Sequence, residues 1–443
     1  MRNKFAWATL LACMCVLTGG HYAAQSVKTA VAGSRGGDNL KLVVILSRHG
    51  TRSSTWPQER LDSYSAQPWP KWSVPTGYLT SRGYDQMKLF GSFDRASLAE
   101  AGLFAAHGCE DASMLYIWAD TDQRTMASGN AFAEGFFPGC PPEVHTVAAD
   151  ERDPLFHSTS AGMKPAATNA ASTQLPKRAA TQIDPMQREL IEEMQHVLLG
   201  CAPKISCTPV RAPTLTLLGA NVAAVRGTDG SMFKAQDPLA LASSFAEDML
   251  LQYADGMPMD QVGWGKVDEA QLRRFLALHT ENFEQTHRTP VQARLQASNM
   301  LLHITHTLQQ AVEQQPVPDA FGPPNTKLIL IAGHDSNIAE VAALLEIHWS
   351  LDGRTDDTPP GTELAFELWQ DEHGTYSVRV TVAMQTLRQL REMQDLRLAT
   401  PPAHATLSVR GCNLREGGCP WAGFLRIAGH AMDRSDVSAA GAK

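Results

Sequence analysis

The stretch Leu40-Lys41-Leu42-Val43-Val44-Ile45-Leu46-Ser47-Arg48-His49-Gly50-Thr51-Arg52 decides how this chain is read. Residues 40–46 are apolar apart from Lys41. A run this short, rich in Leu, Val and Ile, reads as a strand buried on both faces, as in a parallel sheet. It ends in two arginines, a histidine and a glycine. In open α/β sheets, ligands bind beyond the carboxyl ends of the strands. Arg48, His49 and Arg52 therefore stand where a site belongs.

Two further apolar segments end in the same way. Met114–Ala119 runs into Asp120-Thr121-Asp122-Gln123-Arg124 and then a helix over Gln123–Phe136. Thr326–Ala332 runs into Gly333-His334-Asp335-Ser336-Asn337 and a helix over Asn337–Ile347. Thr80 is a plausible cap for a helix reaching Leu103. Alternating patterns at Glu363–Trp369 and Tyr376–Met384 predict two more strands. Between these parts, Asp184-Pro185 and Asp237-Pro238 each open a helical pattern, and further helices are expected near Glu269–Thr286 and Pro290–Gln314. The expected architecture is α/β with a mainly parallel sheet. It comprises a catalytic domain of residues 38–150 and 290–443, interrupted by a mainly helical domain of 151–289.

Adjacent strand ends would gather Arg48, Arg52, Arg124, His49, His334 and Asp335. Guanidinium forks suit the non-bridging oxygens of a phosphoryl group. An imidazole nitrogen of His49 can attack phosphorus, and His334 can add a donor. Asp335 can protonate the leaving alcohol and then help activate water. Asp120 and Ser336 lie in the same segments and are expected to contact substrate. Gly50 would let the backbone come close to the phosphate. His145, His157, His196, His303 and His306 read as surface or satisfied core residues. His303 and His306 are spaced like a metal pair but lack a visible third ligand. No metal and no cofactor are expected.

The whole chain is consistent with that chemistry. It has 443 residues, 43% hydrophobic and 19% charged, an ordinary globular balance. A net charge of −8 argues against nucleic acid as partner, because phosphate backbones reward a basic face. Arg2 and Lys4 followed by the apolar run Phe5–Leu17 read as an export signal, residues 1–24, cleaved after Ala24 or alternatively after Ala32. The rival is a lipid anchor at Cys13 in Leu10-Leu11-Ala12-Cys13. No stretch is expected to span a membrane. Periplasmic or secreted placement makes disulfides natural. Six cysteines remain outside the leader: Cys109, Cys140, Cys201, Cys207, Cys412 and Cys419. Many pairings are open to six cysteines. The close pairs Cys201/Cys207 and Cys412/Cys419 favour two short loops, leaving Cys109 with Cys140.

These motifs resemble the histidine acid phosphatase family, and within it the bacterial periplasmic phytases and glucose-1-phosphatases. The likeness extends over Ala119–Thr125, Asp153-Pro154-Leu155-Phe156, Gly256-Met257-Pro258, Trp264-Gly265 and Thr358-Pro359-Pro360-Gly361 with Glu363-Leu364. It implies a phosphoglycerate-mutase-like α/β domain plus a helical domain. It also implies a covalent phosphohistidine, an acidic pH optimum, the same three disulfides and the roles given above. Arg288, in His287-Arg288-Thr289-Pro290, matches a basic substrate contact of the phytases. Two positions depart from the family. Ser54 replaces the proline expected after Arg52, and Trp56 stands where phytases carry a lysine. The expected substrate is a sugar or inositol phosphate, with phytate ahead of glucose 1-phosphate, and the protein is expected to be a monomer. The other readings are a phosphoryl-transferring mutase and a non-catalytic binder of phosphate esters.

Overall fold

The computed structural model describes residues 38–148, 151–158, 183–209, 211–219, 224–225, 234–235, 237–412 and 418–432. The expected leader and the alternative anchor at Cys13 lie outside these residues.

The opening apolar run forms β1 (Asn39–Arg48), the strand between the two halves of an eight-stranded sheet. On one side of it lie β6 (Leu328–Gly333), β2 (Leu115–Ala119) and β3 (Val144–His145), all parallel. On the other side β9 (Glu363–Gln370), β10 (Tyr376–Met384) and β11 (Ala403–Leu407) pair antiparallel, and β12 (Cys419–Pro420) pairs with β10. The sheet is thus a parallel core extended by an antiparallel half. Two short ladders stand apart, β4 (Ala224–Val225) with β5 (Lys234–Ala235), and β7 (Ser350–Leu351) with β8 (Arg354–Thr355).

Alternation along β1 builds the layers. Leu42, Val44 and Leu46 join Met300, Leu301 and Ile304 of the helix Pro290–Glu313, Ile338 and Val341 of Asp335–Leu344, and Phe424 of Trp421–Ala431. Val43 and Ile45 point the other way, onto Phe90 and Phe93 of Ser81–Glu100 and Phe132 and Phe136 of Gln123–Phe136. Burial on both faces explains why β1 reads as a continuous apolar run.

A separate apolar cluster lies among the helices Pro185–Leu198, Pro238–Ala254 and Glu269–Thr286, through Met194, Phe245, Met249 and Phe275. Leu61, Tyr64 and Trp69 of the segment after β1 join it. Trp69 stacks on Phe245 at 5.4 Å, so this tryptophan packs beneath the loop. Each predicted cap is seen. Thr80 accepts from the Gly83 amide, Asp184 from Met186 and Asp237 from Ala240. The disulfides are Cys109–Cys140, Cys201–Cys207 and Cys412–Cys419. Among the described residues no helix is long and apolar enough to cross a membrane.

Candidate active site

Strand register puts the three motifs at one level. Arg48 on β1 pairs with Gly333 on β6, and Ala119 on β2 with Ala332 on β6. The His49 amide then donates to Gly333 O at 3.0 Å, and the Asp120 amide to Ala332 O at 3.1 Å. His49, Asp120 and His334 therefore leave neighbouring strands side by side. The helix after β6 starts at Asp335, two residues earlier than predicted. The His334 amide donates to Asn337 Oδ1 at 3.0 Å, and the Ser336 amide to Asp335 Oδ1 at 2.8 Å.

His49 is 2% exposed. Its Nδ1 lies 2.8 Å from Gly50 O. A carbonyl only accepts, so Nδ1 carries the hydrogen and Nε2 keeps the lone pair. Burial first, then the charges of Arg124, Arg48, Arg52 and His334, push its pKa well below the ordinary histidine range. The ring is a neutral imidazole, the state a nucleophile needs.

Arg48 is fully buried. Its guanidinium hydrogen-bonds Thr358 O and Glu247 Oε1, and lies 3.1 Å from Asp335 Oδ2. Burial would lower its pKa, but Asp335 and Glu247 outweigh burial and raise it. Arg52 reaches the same Glu247 oxygen at 3.5 Å. Arg124 pairs with Asp122 at 2.5 Å, and its NH2 is 3.5 Å from His334 Nδ1. The Nε atoms of Arg48, Arg52 and Arg124 are buried without a hydrogen-bond partner. Three guanidinium groups at the strand ends suit the oxygens of an oxyanion group.

Asp335 faces that clamp. Burial pushes its carboxyl up, but Arg48, His279, Arg52 and His334 outweigh burial and hold it well below the usual carboxylate range. Asp120 differs from the sequence reading. It is fully buried, with Oδ1 accepting from the Thr121 amide at 2.8 Å and Oδ2 facing both His334 and His157. Its Oδ2 lies 2.6 Å from His334 Nε2 and 2.9 Å from His157 Nε2.

Arg288 is not brought into this set. It is 7% exposed and donates to Ile347 O at 2.6 Å. Glu284 at 2.7 Å and Asp356 at 3.8 Å balance its charge. Gly50 meets a different demand from the one expected. A Cβ there would sit 2.3 Å from Gly83 O, so the glycine lets the strand end pass the helix Ser81–Glu100. His306 Nδ1 faces Pro318 O at 2.8 Å.

Glu247, His279 and His157 escaped the sequence reading. A signal existed for the first. Glu247 and Asp248 are adjacent acids in the apolar run Leu239–Leu251, where a carboxylate is costly unless paired. Among the described residues, metal-capable atoms converge within 4.8 Å in three groups, Asp120/His157/His334, Glu247/His279/Asp335 and Glu284/His348/Asp356. The first two lie within the site, and the third surrounds Arg288.

Fold and site together define a phosphoric monoester hydrolase. Residues 39–383 match the Histidine phosphatase superfamily (branch 2), and the chain belongs to that family. It is 34% identical over 411 residues to Phytase AppA of Escherichia coli (strain K12), covering 88% of this chain and 92% of that one. It is 29% identical over 396 residues to the Glucose-1-phosphatase of Salmonella typhimurium, covering 87% and 90%. Among solved structures, the Hafnia alvei phytase bound to tartrate superposes with a TM-score of 0.79 at 34% identity, covering 91% of this chain and 99% of that one.

Proposed function

We propose that this chain is an exported, monomeric acid phosphatase that cleaves phosphomonoesters through a phosphohistidine at His49, with phytate as its substrate. The observation that carries the reading is the neutral His49, its lone pair on Nε2, within the fields of Arg48, Arg52 and Arg124. Arg48, Arg52 and Arg124 hold the phosphoryl oxygens. His334 and Ser336 line the same strand end, and Arg288 is left as an outer contact at most. Nε2 of His49 attacks phosphorus while Asp335, protonated once the bound phosphoryl dianion draws Arg48 away from it, gives its proton to the leaving alkoxide. Water then attacks the phosphohistidine, and Asp335 takes the proton back. No step uses a metal. Three disulfides support export to the periplasm or medium. The separate apolar cluster of the helices supports a helical unit within 151–289, although Leu61, Tyr64, Trp69 and Leu387 join that cluster and Leu155 and Phe156 pack into the sheet core.

Phytate is favoured by the relative named phytase, 34% identical against 29% for the Salmonella typhimurium glucose-1-phosphatase, and by the phytase structures. Glucose 1-phosphate is the second reading, favoured by Trp56, which places an aromatic ring where a cation was expected. The ring packs on Phe245 at 5.5 Å and under Arg60 at 3.7 Å. The test is kcat/KM for phytate and glucose 1-phosphate near pH 5, with and without EDTA, beside His49→Ala on an aryl phosphate. The reading expects phytate to be preferred, EDTA to be inert and the variant to be inactive. Undiminished turnover by the variant would end the mechanism.

A further inference from the structure

His157 lies in no recognised motif, yet the chain delivers it to the site with care. Asp153 is pinned first. Its Oδ2 accepts from Trp118 Nε1 at 2.8 Å and its Oδ1 from the Leu155 amide at 2.8 Å. Leu155 and Phe156 are then buried in the core beside β6. Phe156 O accepts from Asn337 Nδ2 at 3.4 Å. Its ring lies so close to Gly333 that a Cβ there would be 2.8 Å away. The next side chain, His157, has little choice of direction. Its Nε2 lies 2.9 Å from Asp120 Oδ2.

That oxygen is already engaged. His334 Nε2 lies 2.6 Å from it. An ionised carboxylate only accepts, so both imidazoles donate their Nε2–H to one oxygen. For His334 this fixes the ring. With Nε2–H on Asp120, its Nδ1 is the nitrogen that faces Arg124.

We propose that His157 is a positioning residue for the phosphoryl-transfer site, holding Asp120 so that Asp120 in turn orients His334. This rests on the function proposed above. A neutral His157 donates a hydrogen bond and leaves the Asp120 charge to His334. A protonated His157 competes for that charge and weakens the hold of Asp120 on His334. His157 is therefore both a brace and a pH-dependent one.

Its surroundings agree. Burial pushes its pKa down, but the hydrogen bond and charge of Asp120 outweigh burial and raise it. Arg152 on its own segment opposes this, and Asp122 after β2 supports it. Asp153 on its own segment and Glu340 on the helix after β6 also feel its charge. His334 completes the set.

The experiment compares wild type, His157→Asn and His157→Ala in the full chain, reading kcat/KM for an aryl phosphate from pH 4 to 8. Histidine ring titrations by NMR are followed in the same proteins and in Asp120→Asn. Loss of a hydrogen bond to a charged group is worth about tenfold in rate. His157→Ala should lose about that factor in kcat with little change in KM. His157→Asn should restore most of it, while the ionisation assigned to His157 disappears from the pH profile. In Asp120→Asn, the His157 titration should move down in pH. Superimposable profiles for all three proteins, or a His157 titration indifferent to Asp120→Asn, would overturn the proposal. The NMR arm reads the His157–Asp120 coupling even if the aryl phosphate is not turned over, so failure of the phosphatase reading is separable.

Discussion

The Asp335 carboxylate lies 3.1 Å from Arg48. The residue proposed as proton donor is thus an ion-pair partner of the clamp proposed to hold the phosphoryl group. Its pKa is held well below the usual carboxylate range by Arg48 and its neighbours, against burial. The pair contributes stability that is present above the unfolded carboxyl pKa, about 3.9, and is lost as pH falls through the lower folded value. Asp335→Asn removes that contribution. The gap in Tm between wild type and D335N should be widest above about pH 4 and narrow toward the most acidic pH that leaves the protein folded. A gap that stays constant or widens on acidification would contradict the pairing.

Behind β1 the sign is reversed. Asp94 and Glu363 are both buried and hydrogen-bonded to each other, and the Asp94 pKa is pushed up to about 8, mainly by burial. Burial and the Asp94 charge raise Glu363 as well. Two carboxyls joined by a hydrogen bond need a proton between them. The folded state therefore holds more protons than the unfolded one between about pH 4 and pH 8, and stability falls as pH rises across that window. Asp94→Asn supplies an amide donor in place of the shared proton. Thermal denaturation across the window should show a flatter profile in D94N than in wild type.

Glu247 is where the helical layer meets the clamp. It hydrogen-bonds Arg48 and lies 3.5 Å from Arg52. Removing one partner of a buried pair costs about 3–5 kcal/mol, because the other charge is stranded. Glu247→Ala should lower stability by that order, less whatever Asp335 retains for Arg48, and should cut activity as the clamp loosens. Glu247→Gln should fall between the two. Denaturant midpoints alongside kcat/KM would check both effects. A neutral result for Glu247→Ala would mean that Asp335 alone balances Arg48.

Gly50→Ala tests close approach rather than charge. The added Cβ would fall 2.3 Å from Gly83 O, a backbone atom that cannot swing away. Overpacking of this kind costs about 1–3 kcal/mol. Because His49 is the preceding residue, kcat should fall more steeply than stability. Equal activity in the variant would show that β1 and the helix Ser81–Glu100 can separate freely.

Much of this site was legible in the sequence, for a definite reason. Arg48, His49, Arg52, Arg124, His334 and Asp335 each sit at the end of an apolar run, and strand order then makes them neighbours. The antiparallel strands Glu363–Gln370 and Tyr376–Met384 were legible too, through alternation. Partners joined across long stretches of chain were not. Glu247 pairs with Arg48 across 199 residues, and no local pattern marks such a pair. His157 read as a surface or satisfied core histidine because its partner Asp120 is 37 residues away. Asp120 and Arg288 looked like substrate contacts by position, whereas Asp120 Oδ2 faces His334 and Arg288 donates to Ile347 O.

The long reach from Arg48 to Glu247 has a consequence for how an active molecule comes into being. The nucleophile is made early in the chain, but the acid that neutralises its neighbouring arginine comes from a helix more than a hundred residues later. An unfinished chain has the attacking group beside an arginine that lacks its Glu247 counter-ion. Turnover is therefore a report of completed assembly, and recovery of activity on refolding should lag behind sheet formation until the helices have docked.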